Sequence, residues 1–185
     1  MEQFRSQSHP DQPEPPFLQR LMRELITAIV PAVLIALFVN VFIAQAAMVE
    51  DGPSMQPNLY VGYRMMTEKV SYYFHEPQRG DIVIVAQPNG APNLVKRVIG
   101  LPGETIESRN GHTFINSEPL DEPWVVNFGG RNYPSTLIPE GYVFVLGDNR
   151  PVSHDSRAIG PVPIENISGR VVFIYWPLTE FEIFP

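Results

Sequence analysis

Leu94 to Ile99 reads LVKRVI, and upstream of it Asp81 to Ala86 reads DIVIVA. Both are short runs rich in β-branched residues and closed by glycine or proline, the pattern of strands covered on both faces. Tyr142–Leu146 (YVFVL) and Val171–Trp176 (VVFIYW) have the same character. Asn110-Gly111 stands between Thr105-Ile106-Glu107 and Thr113-Phe114-Ile115, and that dipeptide suits a two-residue type I′ hairpin. No long amphipathic helical pattern follows residue 50. With 20 prolines and 13 glycines in 185 residues, the composition favours short strands joined by turns. The expected fold is therefore mainly β, a single barrel-like or sandwich-like domain over residues 48–185.

Toward the N-terminus the period changes. Leu25 to Ala47 (LITAIVPAVLIALFVNVFIAQAA) carries no charge, and as a helix its 23 residues reach about 35 Å, enough to cross a bilayer core. Pro31 falls near the start of this run. Arg20 and Arg23 precede it and the next basic residue is Arg64, so the charge bias puts the N-terminus in the cytoplasm and residues 48–185 outside. Residues 1–24, with Pro10, Pro13, Pro15 and Pro16, read as a flexible cytoplasmic tail. Two other readings of the apolar run stand beside a transmembrane helix at 25–47. One is a core helix; the other is a cleavable signal peptide with Ala44-Gln45-Ala46 as its small-x-small processing site.

Composition excludes several chemistries. A net charge of −7, with no basic cluster longer than Lys96-Arg97, argues against a nucleic-acid partner. The chain has no cysteine, which removes thiol catalysis, disulfides and thiolate zinc sites. His9, His75, His112 and His154 show no ligand spacing, so neither metal nor other cofactor is expected.

Three stretches remain that can carry chemistry. Asp51 to Leu59 (DGPSMQPNL) holds Ser54 on a proline-stiffened loop, either a presented nucleophile or a solvated serine of a turn. Strand alternation puts Lys96 and Arg97 on opposite faces of LVKRVI, so one cation points inward. A buried lysine more readily becomes a neutral amine and can then accept a hydroxyl proton; a lysine snorkelling from a sheet edge cannot. Gly147 to Arg157 (GDNRPVSHDSR) crowds polar groups onto a loop just after a buried strand. There Asp155 with Arg157, or Asp148 with Arg150, are candidates for pairing, and Ser153 is a candidate to aim the Lys96 amine.

An apolar anchor followed by GPSMQPNL, KRVIGLPGE (Lys96–Glu104) and GDNRPVSHDSRAIG (Gly147–Gly160) resembles type I signal peptidase. The resemblance runs from about residue 25 to 172. It implies a serine endopeptidase with a Ser-Lys dyad, Ser54 as nucleophile and Lys96 as general base. It also implies Ser153 as the group orienting the lysine, with Asp155 and Arg157 structural beside it and Asp148 counted with them. For the oxyanion it implies the Ser54 N–H, with a second donor near Gly52, where some members have serine. Met55, Leu59 and Val95 are expected to line a shallow apolar substrate pocket. Glu50 and Asn58 depart from the usual apolar residue and threonine. The implied partners are signal peptides of exported preproteins, bound as an added strand, with membrane lipid and the secretion translocon alongside; the implied location is the plasma membrane, single-pass. A self-cleaving Ser-Lys protease and a non-enzymatic membrane-tethered β binding domain remain as alternatives.

Overall fold

The computed structural model describes residues 16–50 and 52–184, so most of the expected N-terminal tail and Asp51 lie outside the described residues. The chain divides into two units, Met1–Phe38 and Val39–Pro185. The first holds helix α1, Phe17–Phe38, whose 22 residues are long and apolar enough to cross a membrane. Its start differs from the uncharged run. The helix begins directly after Pro16, whose carbonyl accepts from the Gln19 and Arg20 N–H groups, and it continues through Arg20, Arg23 and Glu24. Arginine, leucine and glutamate are good helix formers, so the loss of charge at residue 25 marks hydropathy and not a helix boundary. Pro31 accordingly lies inside α1.

The far end of the expected span is also corrected. Val39–Ile43 continues as a π-helical turn, and Ala44–Met48 is already strand β1. Ala44, Gln45 and Ala46 thus sit in an antiparallel ladder opposite Glu68, Thr67 and Met66 of β2 (Arg64–Glu68).

The second unit is built on β, as expected. Its larger sheet runs in the order β1, β2, β11 (Ile167–Trp176), β3 (Ile82–Val85), β4 (Leu94–Gly100), β9 (Tyr142–Leu146) and β10 (Val162–Pro163). A short β12 (Glu182–Ile183) also pairs with β11. The smaller sheet orders β7 (Glu118–Pro119), β6 (His112–Ile115), β5 (Thr105–Arg109) and β8 (Tyr133–Leu137). Asn110 (φ 50°) and Gly111 (φ 85°) close the β5–β6 hairpin with the two positive φ values that a type I′ turn needs.

Every residue of β4 is buried, so Lys96 and Arg97 both point inward, one on each face. Val49, Met55, Leu59, Met65, Ile82 and Val171 share one apolar cluster with Val95. That cluster seats the turn carrying Ser54 against β4.

Candidate active site

Residues 52–58 form consecutive turns, with the Gln56 N–H donating to Pro53 O at 3.1 Å and the Leu59 N–H to Met55 O at 3.0 Å. Met55 and Leu59 anchor this turn from below. Gly52 adopts φ +43°, not the extended backbone its following proline favours, a conformation open to a residue without Cβ. The anchored turn brings Ser54 over β4, where Lys96 Nζ lies 2.9 Å from Ser54 Oγ and donates to Val95 O at 3.0 Å. Lys96 is 0% exposed and Ser54 5%. The Ser54 N–H has no hydrogen-bond acceptor among the described residues, while its carbonyl accepts from the Asn149 N–H at 2.9 Å.

The loop after β9 is held by three buried ion pairs. Arg97 grips Asp148 with Nε to Oδ1 at 2.9 Å and Nη2 to Oδ2 at 2.8 Å, while its guanidinium lies 4.8 Å from the centre of the Trp124 ring. Asn58 Nδ2 donates to the same Asp148 carboxylate at 2.7 Å and to Trp124 O at 2.9 Å, tying the nucleophile turn to this frame. Arg150 does not pair with Asp148. It forms a two-pronged pair with Glu122, donates to Thr113 Oγ1 and returns Nε to Gly147 O. The expected Asp148–Arg150 contact loses to Arg97 because β4 aims a planar fork straight at Asp148, while Arg150 is taken up by Glu122.

Asp155 pairs with Arg157 through Nε at 2.9 Å and Nη2 at 2.8 Å and caps the short helix α2, Ser156–Ile159. Burial pushes the Asp155 carboxyl up, but the hydrogen bonds and charge of Arg157 outweigh it and hold the group below its ordinary value. The Gly147 N–H, which donates to Asp155 Oδ2, helps in the same direction. Ser153 Oγ itself is buried without a hydrogen-bond partner among the described residues, so the anticipated bond to the Lys96 amine is not made. Ser153 instead presses on Gly147, whose α-carbon also faces Ser54 O.

A cavity of about 250 Å³ reaches β4 at Val95, the residue before Lys96. Gln45 to Met48 of β1 line it together with Glu50, Ile84, Asn93 and Val95. Of the three expected pocket residues only Val95 lines it. Met55 and Leu59 are packed in the core below. Sequence reasoning missed the β1 wall, Asn149 and the Glu122–Arg150 pair; Arg97, adjacent to Lys96, was the visible signal for a buried carboxylate partner.

A family profile described as "Signal peptidase, peptidase S26" matches residues 22–176. The chain belongs to the signal peptidase family. It is therefore a peptidase, a hydrolase, and the non-enzymatic reading falls away. Among its relatives, a probable signal peptidase I-1 of Synechocystis sp. is 36% identical over 88% of this chain and 86% of its own length. The Bacillus licheniformis signal peptidase I is 35% identical, over 86% of this chain and 91% of its own. Thylakoidal processing peptidase 1 of Arabidopsis thaliana reaches 42% identity over 67% of this chain and 40% of its own. A solved signal peptidase I structure from Enterococcus faecalis is 36% identical and covers 52% of this chain and 97% of that one, with a TM-score of 0.45.

Proposed function

We propose that this chain is a membrane-anchored serine endopeptidase that removes signal peptides from exported preproteins after small-x-small sequences. Ser54 is the nucleophile and Lys96 the general base. The observation that carries the reading is the 2.9 Å separation of Lys96 Nζ and Ser54 Oγ, with both residues buried.

In a site from which water is excluded, the neutral amine is favoured over the ammonium. As Ser54 Oγ attacks the scissile carbonyl, Lys96 Nζ takes the hydroxyl proton, the C–O bond forms and the carbonyl electrons pass to the oxygen. The Ser54 N–H is the first oxyanion donor and the Gly52 N–H the second. When the tetrahedral centre collapses, the C–N bond breaks and Lys96 returns its proton to the leaving amine. A water activated by the same amine then releases the acyl group and restores Ser54. Asp148, Asp155 and Arg157 hold the supporting loop, and Ser153 acts through Gly147.

Helix α1 supplies the anchor, with its arginine-flanked N-terminal end in the cytoplasm and the β unit on the outer side of the plasma membrane. Signal peptides are the substrates, and membrane lipid and the secretion translocon are the neighbours. Phe128 (45% exposed) and Trp176 (53%) present aromatic surface suited to lipid, whereas Trp124 is committed to Arg97.

Ser54→Ala and Lys96→Ala should each abolish cleavage of a model preprotein while circular dichroism and thermal unfolding stay near the parent. Full activity in either variant would refute the dyad. Cleavage of a separate preprotein distinguishes this reading from a self-cleaving enzyme, whose own candidate site, Ala44-Gln45-Ala46, is paired into β1.

A further inference from the structure

We infer that Asn149 is a positioning residue for the reaction, holding the plane of the Pro53–Ser54 peptide so that the Ser54 N–H is aimed at the oxyanion. This rests on the serine peptidase reading above, which makes that N–H a donor.

A peptide group is planar, and the Pro53–Ser54 bond is trans. Its carbonyl oxygen and its N–H therefore point in opposite directions, and a group that fixes the Pro53 carbonyl also aims the Ser54 N–H. Asn149 Nδ2 donates to Pro53 O at 3.1 Å, and the Asn149 N–H donates to Ser54 O at 2.9 Å. One residue thus grips the carbonyls on both sides of the Ser54 α-carbon. With both planes set, the backbone of Ser54 has little freedom to swing its N–H while Oγ stays against Lys96 Nζ.

The amide of Asn149 can sit only one way round. Pro53 O accepts and cannot donate, so Nδ2 faces it, and Oδ1 accepts from Asn127 Nδ2 at 3.3 Å. Asn149 is half-buried and stands between Asp148, gripped by Arg97, and Arg150, paired with Glu122. Its backbone is therefore held at both neighbours by buried ion pairs. Pro53 O also accepts from the Gln56 N–H at 3.1 Å, a bond inside the turn. The bond from Asn149 is the one that ties this peptide to the frame, across 96 positions. Two donors on one carbonyl also polarise the peptide and make its N–H the stronger donor.

The test uses the full chain in detergent and a quenched fluorescent peptide that it cleaves in a Ser54-dependent manner, with rates normalised to the folded fraction from circular dichroism. Asn149→Ala keeps the backbone bond to Ser54 O and removes only the amide. Its kcat should fall by about tenfold with KM within about twofold, less than the loss of about 100- to 1000-fold on deleting an oxyanion donor, because the Gln56 bond remains. Asn149→Asp keeps the size but has no proton for Pro53 O, and it should lose at least as much. A packing role would leave that variant near the parent. A peptide aldehyde ending at the scissile carbonyl gives the second readout. Ser54 Oγ bonds to its carbon, the hydroxyl proton passes to Lys96 Nζ and the charge collects on the aldehyde oxygen. Asn149→Ala should bind it about tenfold more weakly than the parent, yet bind equally well the same peptide with a methylene-amine in place of the scissile amide, where no oxyanion forms. The pH midpoint of kcat/KM should stay where the parent has it. Parental kcat in Asn149→Ala, a near-parental Asn149→Asp, equal losses of affinity for the two inhibitors, or a moved pH midpoint would overturn the inference alone. If Ser54→Ala cleaves the peptide as the parent does, the catalytic reading and the inference fall together.

Discussion

Replacing Gly147 by alanine tests whether the loop after β9 sets the position of the nucleophile. A Cβ at 147 would lie 2.5 Å from Ser54 O and 2.6 Å from Ser153 Cβ, and closer still to the Ser153 hydroxyl, whereas real Cβ contacts under 3.0 Å are essentially never seen. The backbone of Gly147 cannot simply retreat. Its N–H donates to Asp155 Oδ2 at 3.1 Å and its carbonyl accepts from Arg150 Nε at 3.1 Å, and both of those side chains are buried in ion pairs. The Ser54 peptide must therefore give, against its own bond from the Asn149 N–H, by about 0.5 Å or more if 2.5 Å is to open to 3.0 Å. Overpacking of this kind costs about 1–3 kcal/mol of stability. Misplacing a reacting group by about 1 Å can cost about 100-fold in rate, so a shift of about 0.5–1 Å should lower kcat by about ten- to 100-fold with KM little changed.

Gly100→Ala is the matched control. Its Cβ would collide with Ile138 and approach Phe144 Cβ at 3.1 Å, inside the apolar cluster around Ile99 and Ile106. It should lower the melting temperature comparably and leave kcat per folded molecule intact. Steady-state cleavage of a quenched fluorescent peptide, normalised by titration with a serine acylating agent, reads both variants. The reasoning fails if Gly147→Ala keeps parental kcat, or if Gly100→Ala loses as much.

Three further outcomes follow from the buried polar frame. Asn58→Ala removes the donor shared by Asp148 and the Trp124 carbonyl and should cost about 1–3 kcal/mol in denaturant unfolding, because both acceptors lose a partner in a partly buried place. Glu122→Ala strands the Arg150 guanidinium in the interior and should cost about 3–5 kcal/mol; Glu122→Ala with Arg150→Met should recover part of that, and a double variant no better than the single would contradict the pairing. Asp155, whose carboxyl is depressed in the folded state, contributes stability that is complete above its unfolded value. That contribution is lost as pH falls below about 4 through the lower folded value, so Asp155→Asn should be less stable at pH 7 and show a shallower acid limb in melting temperature against pH.

The strands that the sequence announced are those whose side chains say so unaided: β3 and β9 are almost wholly β-branched or aromatic, β4 carries Val95, Val98 and Ile99 on either side of its two cations, and Asn110-Gly111 marks its own turn. The strands that escaped lack that signature. β1 (AQAAM) is the tail of an uncharged segment and β2 (RMMTE) has no β-branched residue except Thr67, so β1 is a strand chiefly because β2 offers it a ladder, and β2 because β1 and β11 do. At the candidate site, Ser54 and Lys96 were legible as residues of interest and the ion pairs around them were not. Which of several arginines meets which of several carboxylates depends on strand direction and loop path, neither of which leaves a local trace. Arg97 reaches Asp148 across 51 positions and Arg150 reaches Glu122 across 28.

Lys96 and Arg97 show how one strand can give adjacent cations opposite fates. Alternation sends them to different faces of β4, and the strand is buried on both. A guanidinium keeps its charge in any protein environment and so requires a carboxylate when buried, which Asp148 supplies with both oxygens. An amine can instead give up its proton, and a hydroxyl at 2.9 Å and a carbonyl at 3.0 Å are neutral neighbours compatible with that state. A carboxylate freed beside the lysine would favour the ammonium over the neutral amine that the proposed mechanism requires. Committing Asp148 to Arg97, Asp155 to Arg157 and Glu122 to Arg150 stiffens the loop against which Ser54 rests and also keeps each of those negative charges answered by a cation that cannot be titrated away. The three arginine pairs are in this sense one arrangement: each buried carboxylate of the frame is matched to a guanidinium, and the loop that bears on Ser54 is held by all three.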